Sequence, residues 1–298
     1  MKITVQLQGG LGNQLFQYAS AKSFAIARTQ ELLIDDIWYT KNHPDTTPRT
    51  VSLGHLNVPL AIERSPQWLE RPRKTRLRLQ HFLPITPFLI AETRPFRFDP
   101  HKFSNPLIFG RDCYLIGYWQ SFHYFQSIRS VLLTELLPRM PLRPTYQSML
   151  EAIQKAPSSC MVHIRRGDYV SLPQAHQVHG VLSLAYYRAA MDRMRHHLPN
   201  VQFFIFSDDL PWVREHLIVP GNASFVEGFS DDRAAVEEFF LMTQCQNHII
   251  ANSSLSWWGA WLCQAPQQTV ICPDQWLRNS KETNWGDLLP SNWQRLSQ

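Results

Sequence analysis

The stretch KITVQLQGGLGNQ, residues 2–14, decides the fold class of this chain. Apolar and polar residues alternate in its first seven positions, as they do in a half-buried strand. A helical pattern then runs from residue 14 to about residue 28, and a second strand, ELLIDD, covers residues 31–36. This strand–helix–strand order predicts an α/β layered structure. Three glycines within residues 9–12 indicate a segment whose backbone comes very close to a ligand or to another part of the protein.

The same alternation of strands and helices restarts after about residue 157. Four segments predict strands with polar carboxyl ends: CMVHIRRGDY (160–169), VQFFIFSDD (201–209), HIIANSS (248–254) and TVICPD (269–274). We therefore expect two α/β domains, residues 1–157 and 158–298. Within the first domain, residues 40–110 are rich in proline and predict loops and short helices, followed by a strand over 113–120 and a helix over 121–137.

Composition excludes several classes of protein. The chain has 298 residues, 44% of them hydrophobic, and 12 glycines, which excludes collagen-like and low-complexity proteins. No run of about 18 uncharged apolar residues is present, and the N-terminus lacks the apolar stretch of a signal peptide. These features predict a cytoplasmic protein. The five cysteines form no CxxC pair, so we expect reduced, mostly buried thiols.

Charge is divided unevenly along the chain. Residues 1–150 hold 18 basic and 10 acidic residues, a formal charge of +8, whereas residues 151–298 hold 11 and 14, a charge of −3. The densest basic run, RPRKTRLR, spans residues 71–78. Such a run suits a solvated surface, or weak peripheral binding to an anionic inner-membrane leaflet. Nucleic-acid binding is a weaker alternative, because no recognition-helix or zinc module is present.

Polar clusters at the predicted strand ends indicate a binding site. In open α/β sheets, ligands bind beyond the carboxyl ends of the strands. An arginine fixed in HIRRGD can grip phosphate with two hydrogen bonds. Asn252, Ser253 and Ser254 open a predicted helix, whose free N–H groups favour anions. A carboxylate from Glu237 or Glu238, on the preceding helix, can accept two parallel N–H bonds from a guanine base.

Common nucleotide and metal motifs are absent. GGLGNQL lacks the third glycine of the dinucleotide fingerprint, and no GK[ST] follows it as in a P-loop. Asp208 and Asp209 resemble the DxD metal motif of some sugar transferases, but the two acids are adjacent. No third ligand accompanies His176 and His179. We therefore expect no metal and no other cofactor, and a metal-dependent transferase using Asp208 and Asp209 is the alternative.

Four motifs together resemble glycosyltransferase family 11, the galactoside α-1,2-fucosyltransferases. They are GGLGNQLFQYA (9–19), HIRRGDYV (163–170), FSDD (206–209) and LMTQC…HIIANSSLSWWGAWL (241–262). The resemblance runs from residue 3 to about 273 in the family's order. Residues 40–150 match weakly, and we expect the choice of acceptor to reside there.

The resemblance implies a fold, a reaction and a set of partners. The fold would be GT-B-like, with two Rossmann-like α/β domains facing each other across a cleft. The donor would be GDP-β-L-fucose and the acceptor a galactose-terminated oligosaccharide. Fucose would be transferred to the galactose 2-hydroxyl with inversion and without a metal ion. Because the animal members carry a membrane anchor that this sequence lacks, the chain resembles a bacterial-type member.

The resemblance also implies roles for individual residues. Arg165 would hold the β-phosphate and stabilise the departing GDP as charge develops. Arg166 would brace the loop. The remaining donor-binding residues would be Gly12, Asn13, His163, Asp208, Glu238, Asn252, Ser253 and Ser254. Among these, Glu238 would read guanine N1 and N2, and the two serines would contact the diphosphate.

The sequence leaves open which group, if any, acts as the general base. Asp168 is the acid inside the HIRRGD motif and is the candidate for deprotonating the galactose 2-hydroxyl. Its rival role is an ion pair that orients Arg165 or Arg166. A dissociative mechanism, in which the proton leaves late to phosphate or water, needs no strong base.

Overall fold

The computed structural model describes residues 1–41, 43, 47–64, 87–278, 280 and 284–297. Contacts divide the chain into two compact units, Met1–Asn42 with Arg49–Leu136, and His43–Pro48 with Leu137–Gln298. The sequence boundary after residue 157 lies later than this division. The reason is a helix over Pro144–Lys155 that packs within the second unit. The basic run over 71–78 lies outside the described residues.

The first unit contains a four-stranded sheet in which every pairing is parallel. Its strands stand in the order β2-β1-β4-β3. Its helices and strands, in chain order, are β1 Lys2–Gln6, α1 Leu11–Arg28, β2 Glu31–Asp35, β3 Phe88–Ala91, α2 His101–Ser104, β4 Cys113–Ile116 and α3 Arg129–Glu135. The predicted opening strand, helix and strand are confirmed.

Two elements of the first unit differ from expectation. Strand β3 lies inside the stretch predicted to be irregular; its four residues, FLIA, are all buried, and a run this short carries no periodicity to read. The predicted helix over 121–137 is only partly helical. It begins with two 3₁₀ turns, Phe122–Tyr124 and Gln126–Ile128, and becomes α-helical only in α3.

The second unit contains a six-stranded sheet, again parallel throughout, in the order β10-β9-β8-β5-β6-β7. The predicted strands and helices are found close to their expected positions. Its elements, in chain order, are α4 Pro144–Lys155, β5 Ser158–Ile164, α5 Gly167–Ser171, α6 Pro173–His179, α7 Leu184–His197, β6 Val201–Ser207, α8 Leu210–His216, β7 Ser224–Phe225, α9 Asp232–Gln244, β8 Asn247–Ile249, α10 Ser254–Leu262, β9 Val270–Pro273 and β10 Gln294–Leu296.

Strand order reverses between β5 and β8. From β5 the chain builds outward to β6 and β7, then returns to pair β8 with the other side of β5. The connections that follow these two neighbouring strands therefore leave in opposite directions, which opens a crevice at their carboxyl ends. HIRRGD ends β5 and NSS follows β8, so both polar motifs flank this crevice.

Buried side chains fill the layer beneath the crevice. The core of the second unit joins strands β5, β6, β8 and β9 to helix α7 through residues such as Val162, Phe203 and Met194, which have no or almost no exposed surface. All five cysteines are free and buried, as expected. Among the described helices, none is both long enough and apolar enough to span a bilayer.

Candidate functional site

Arg165 lies at the centre of the crevice-side cluster, just beyond the end of β5. Its Nη2 donates to Asp168 Oδ1 at 2.5 Å, and its Nη1 lies 2.8 Å from Asp208 Oδ2. The guanidinium also lies 5.4 Å from the centre of the Tyr169 ring. Burial alone would lower the pKa of Arg165, but Asp208 and Asp168 raise it overall. The side chain is thus a fixed cation with N–H groups left over from its two ion pairs.

Gly167 allows this cluster to close. A Cβ at Gly167 would overlap the carboxylate of Asp208, so no side chain fits there while Asp208 holds its position. That position is defined by two contacts: the ion pair to Arg165 and a 2.8 Å hydrogen bond from the Arg166 backbone N–H to Oδ1. The glycine of HIRRGD therefore leaves the space that lets the loops after β5 and β6 pack closely together.

Arg166 faces away from Arg165 and braces the loop. Its Nε donates to Asp209 Oδ2 at 3.1 Å, and its guanidinium stacks 3.3 Å from the centre of the Trp212 ring. Asp209 in turn caps helix α8 by accepting from the Trp212 N–H. The two adjacent arginines thus serve different loops, which agrees with the brace expected for Arg166.

Carboxylates outnumber guanidinium groups in this cluster. The cluster contains two cations, Arg165 and Arg166, and three carboxylates, from Asp168, Asp208 and Asp209. An anionic ligand here would have to be held by directed hydrogen bonds rather than by net positive charge. His163 adds none, because burial lowers its pKa to about 4 and leaves the ring neutral at pH 7. Its Nδ1 is buried and has no hydrogen-bond partner among the described residues.

The NSS segment forms the other side of the crevice. Ser253 is the N-cap residue of helix α10, yet its side chain makes no capping hydrogen bond. The first N–H groups of α10, next to Ser254, therefore lack the usual side-chain acceptor. The buried side chain of Asn252 donates to the carbonyls of His179 and Trp276, which fixes neighbouring loops. A contact between Asn252 and a donor stays a prediction.

Tyr169 joins the two sides of the crevice. Its hydroxyl donates to the Asn252 carbonyl at 3.1 Å, and its ring stacks on His179 at 4.6 Å with an interplanar angle of 4°. Burial lowers the pKa of His179, so this ring is neutral at pH 7. Sequence reasoning gave neither residue this role. The pattern HQVH was considered for metal binding, whereas its second histidine supports an aromatic stack.

The adjacent glutamates of α9 have separate roles. Glu237 is 1% exposed and accepts hydrogen bonds from Arg143, including one from the Arg143 backbone N–H at 2.7 Å. It is therefore part of the core between α4 and α9. Glu238 accepts one hydrogen bond, from the Tyr146 hydroxyl at 3.1 Å. This single bond leaves the carboxyl with acceptor capacity for a ligand. Burial raises the pKa of Glu238 to about 7.

The glycine-rich loop belongs to the first unit, at the reversal of strand order between β1 and β4. Gly12 is buried in the first turn of α1, and Asn13 accepts a 2.8 Å hydrogen bond from Gln120, which follows β4. The loop is held by Gln14, a buried residue that sequence reasoning missed. Its amide donates to the Gly9 and Thr50 carbonyls and accepts from the Ser52 N–H.

The adjacent acids of FSDD are both engaged by arginine. Asp208 accepts from Arg165 and Arg166, and Asp209 accepts from Arg166. A metal ion would have to displace these partners. No group of three or more metal-ligating side chains occurs within the part of the chain that the structure describes.

Comparison with known proteins identifies similar sequences. Residues 95–296 match the family description "Glycosyl transferase family 11". An α-1,2-colitosyltransferase of Escherichia coli is 30% identical, and the alignment covers 99% of this chain and 98% of that protein. A galactoside 2-α-L-fucosyltransferase (SEC1) of Bos taurus is 29% identical over 50% of this chain and 41% of its own length.

A solved structure shares the fold. FUT1 of Arabidopsis thaliana, solved as a mutant in complex with GDP, superposes with a TM-score of 0.53 at 11% identity. The match covers 92% of this chain and 71% of that one. Together with the two parallel sheets, this likeness confirms the predicted GT-B-like α/β class.

Proposed function

The chain belongs to glycosyltransferase family 11, and from this membership we propose that it transfers L-fucose from GDP-β-L-fucose to the 2-hydroxyl of a terminal galactose. The transfer would form an α-1,2 linkage with inversion and need no metal ion. The observation that carries the proposal is the placement of Arg165 and the uncapped start of α10 on two sides of one crevice. Both are sources of N–H donors for a diphosphate.

Arg165 takes the central catalytic role in this proposal. Cleavage of the fucose–phosphate bond leaves negative charge on the β-phosphate of GDP. A guanidinium that is already oriented by Asp168 and Asp208 can stabilise that charge without reorganising. The N–H groups of α10 and the hydroxyls of Ser253 and Ser254 would share the charge.

Asp168 fits an orienting role better than the role of general base. Its carboxylate lies 2.5 Å from Arg165 Nη2, and an ion pair favours the charged form of a carboxyl group and so weakens it as a base. A dissociative mechanism, in which the acceptor proton leaves late and no strong base is needed, then agrees with the geometry. The base role would require Asp168 to release Arg165 during turnover.

Glu238 would select the nucleotide. Guanine presents N1–H and the N2 amino group side by side, and one carboxylate can accept both. Among the described residues, Tyr146 is the single hydrogen-bond partner of Glu238, which leaves acceptor sites on the carboxylate. Gly12 and Asn13, in the first unit, are proposed to approach the sugar-phosphate, and the acceptor is proposed to be a galactose-terminated oligosaccharide.

Binding of GDP without metal is the first test. We expect GDP at about 100 times its Kd to raise the Tm by about 5 °C in the presence of EDTA, because ligand binding adds roughly 2.7 kcal/mol to the free energy of unfolding. The measurement is a thermal melt with GDP, and ADP at the same concentration is the control. A melt unchanged by saturating GDP would contradict the proposal, and a rise that requires added Mg²⁺ or Mn²⁺ would favour the alternative that uses Asp208 and Asp209.

The sugar of the donor has a second candidate. One relative that covers nearly the whole chain is named for transfer of colitose, the 3-deoxy counterpart of fucose. If the site bonds the fucose 3-hydroxyl, GDP-fucose should be preferred by at least about tenfold in kcat/KM, since a site built to bond a hydroxyl discriminates against the analogue that lacks it. Both donors should be assayed against a panel of galactosides. A preference for GDP-colitose would reassign the donor and leave the reaction class intact.

A further inference from the structure

Tyr146, on helix α4, connects the base-reading carboxylate to a neighbouring loop. Its side chain is fully buried. The hydroxyl donates to Glu238 Oε1 at 3.1 Å and accepts from the Phe229 backbone N–H at 3.2 Å. One hydroxyl therefore fixes both the glutamate and the loop that leads into helix α9.

The loop before helix α9 packs tightly against Tyr146 and Glu238 at Gly228. A Cβ added to Gly228 would overlap the Tyr146 hydroxyl and lie 2.8 Å from Glu238 Oε1. The backbone thus passes directly against the two side chains. A glycine is required here for space, because its φ is not in the left-handed region that would otherwise explain it.

Arg143 closes the network from the N-terminal end of α4. Its guanidinium lies 3.9 Å from the centre of the Phe229 ring and 5.5 Å from that of Tyr146. It also forms ion pairs with Asp231 at 2.8 Å and with Glu237 at 2.6 Å. These contacts tie the loop to α4 and α9, so the position of the Tyr146 hydroxyl is set by surrounding structure.

Glu238 needs such a partner. A glutamate side chain has several rotatable bonds, and ordering it costs free energy unless something holds it. Glu237 is held by arginine, whereas Glu238 has the Tyr146 hydroxyl as its sole hydrogen-bond partner among residues the structure describes. With one oxygen bound to Tyr146, the carboxylate plane is directed before any ligand arrives.

We propose that Tyr146 is a positioning residue that orients the Glu238 carboxylate and thereby sets the preference of the donor site for guanine. This inference rests on the proposed function, because it assumes that Glu238 contacts the base. Tyr146 itself, whose side chain is fully buried, would not contact the nucleotide. Its removal should therefore weaken the recognition of guanine and spare the binding of the diphosphate.

The charges around Glu238 predict a pH signature. Burial is the largest cause of its raised pKa, and Asp208 and Glu237 raise it further, whereas Tyr146 and Arg143 lower it. A guanine-binding carboxylate must be ionised, so GDP affinity should rise as the pH increases through about 7. Loss of the Tyr146 hydrogen bond removes stabilisation of the ionised form, and the rise should move to higher pH.

The experiment compares Tyr146→Phe with the unmodified protein. GDP and IDP, which lacks the N2 amino group, are titrated calorimetrically from pH 5.5 to 9. We expect Tyr146→Phe to lose about tenfold in GDP affinity at pH 7 and to shift the pH midpoint upward by about half a unit or more. The ratio of GDP to IDP affinity should fall about threefold. The same titration on Glu238→Gln subtracts the ionisation of the phosphate itself.

Tyr186→Phe is the matched control. Tyr186 is also a buried tyrosine of the second unit, but its hydroxyl donates to the Ile250 carbonyl rather than to a carboxylate. It should lose stability without a change in pH midpoint or base preference. A Cβ at Gly228 would overlap the Tyr146 hydroxyl, so Gly228→Ala should displace that hydroxyl from the loop side and shift the midpoint in the same direction as Tyr146→Phe. A thermal melt of each variant establishes that it is folded before it is titrated.

The outcomes are distinguishable. If Tyr146→Phe and Gly228→Ala keep the unmodified pH midpoint and GDP-to-IDP ratio, the positioning role is wrong while the proposed function stands. If the unmodified protein itself binds neither GDP nor IDP at any pH, the proposed function fails first. If Tyr186→Phe moves the midpoint as far as Tyr146→Phe does, the effect is one of general stability and the inference is overturned.

Discussion

Replacing Arg165 by alanine is expected to lower kcat by about 10³-fold while the protein remains folded. The guanidinium is the cation placed between Asp168 and Asp208 at the end of β5, and no other described cation pairs with both. Its loss removes the group proposed to stabilise the departing GDP. The measurement is steady-state transfer from GDP-fucose, with circular dichroism and a thermal melt to establish folding.

Two further variants sharpen this result. Arg165→Lys keeps the charge but loses the planar fork, and we expect an intermediate loss because lysine cannot form the paired hydrogen bonds. Arg166→Ala removes the neighbouring arginine, which contacts Asp209 and Trp212. It should lower the Tm with a smaller loss of turnover. Near-normal kcat in folded Arg165→Ala would show that the phosphate role belongs elsewhere.

Asp168→Asn separates the two roles left open for that residue. If Asp168 orients Arg165, the variant should weaken GDP binding together with turnover. If it is the general base, turnover should fall with GDP affinity unchanged, and the acidic limb of the kcat profile should disappear.

Replacing Glu238 by glutamine is expected to lower GDP affinity about 100-fold at pH 8. One hydrogen bond to a charged acceptor, worth about 1.5–3 kcal/mol, is lost, because glutamine keeps a single acceptor oxygen and turns an N–H toward the other guanine donor. Because burial raises the pKa of Glu238 to about 7, the difference from the unmodified protein should shrink below pH 6, where the carboxyl is protonated. Calorimetric titration with GDP across this pH range is the measurement.

The adjacent glutamate supplies the control for this prediction. Glu237→Gln disrupts a buried ion pair with Arg143 and should destabilise the protein by about 1–3 kcal/mol. Because Arg143 also packs on Tyr146, the preference for GDP over ADP should fall in Glu237→Gln, but by much less than in Glu238→Gln. An equal loss of that preference in Glu237→Gln would contradict the assignment of base recognition to Glu238.

Strand ends were predictable from the sequence because the apolar pattern of each strand stops where the polar candidate site residues begin. A buried apolar run that stops at arginine or serine marks both the strand and its carboxyl end, so β5 and β8 were located together with the Arg165 and Ser253 motifs. The short strand β3 was missed, because four apolar residues in a proline-rich stretch have no period. The helix predicted over 121–137 is only partly α-helical, because helical patterning does not distinguish a 3₁₀ turn from an α-turn.

The partners of the site residues were not predictable. Tyr146 lies 92 residues before Glu238, and nothing local indicates that its hydroxyl reaches that carboxylate. The same is true of Asp208, which meets Arg165 from another strand, and of Gln14, whose amide links the glycine loop to Thr50. Sequence motifs identify the candidate functional residues. The residues that hold them in position depend on strand order and packing, which the sequence does not show directly.

Parallel pairing throughout both sheets has a consequence for how this protein reaches its native state. Neighbouring parallel strands cannot be joined by a hairpin, so each pairing must close a long stretch of chain first. Beside β5 and β8, for example, Ser159 meets Gln246 across 87 residues. Folding of such topologies is slow, and apolar strands stay exposed to aggregation meanwhile. The yield of active enzyme should thus depend on synthesis rate and temperature as much as on final stability.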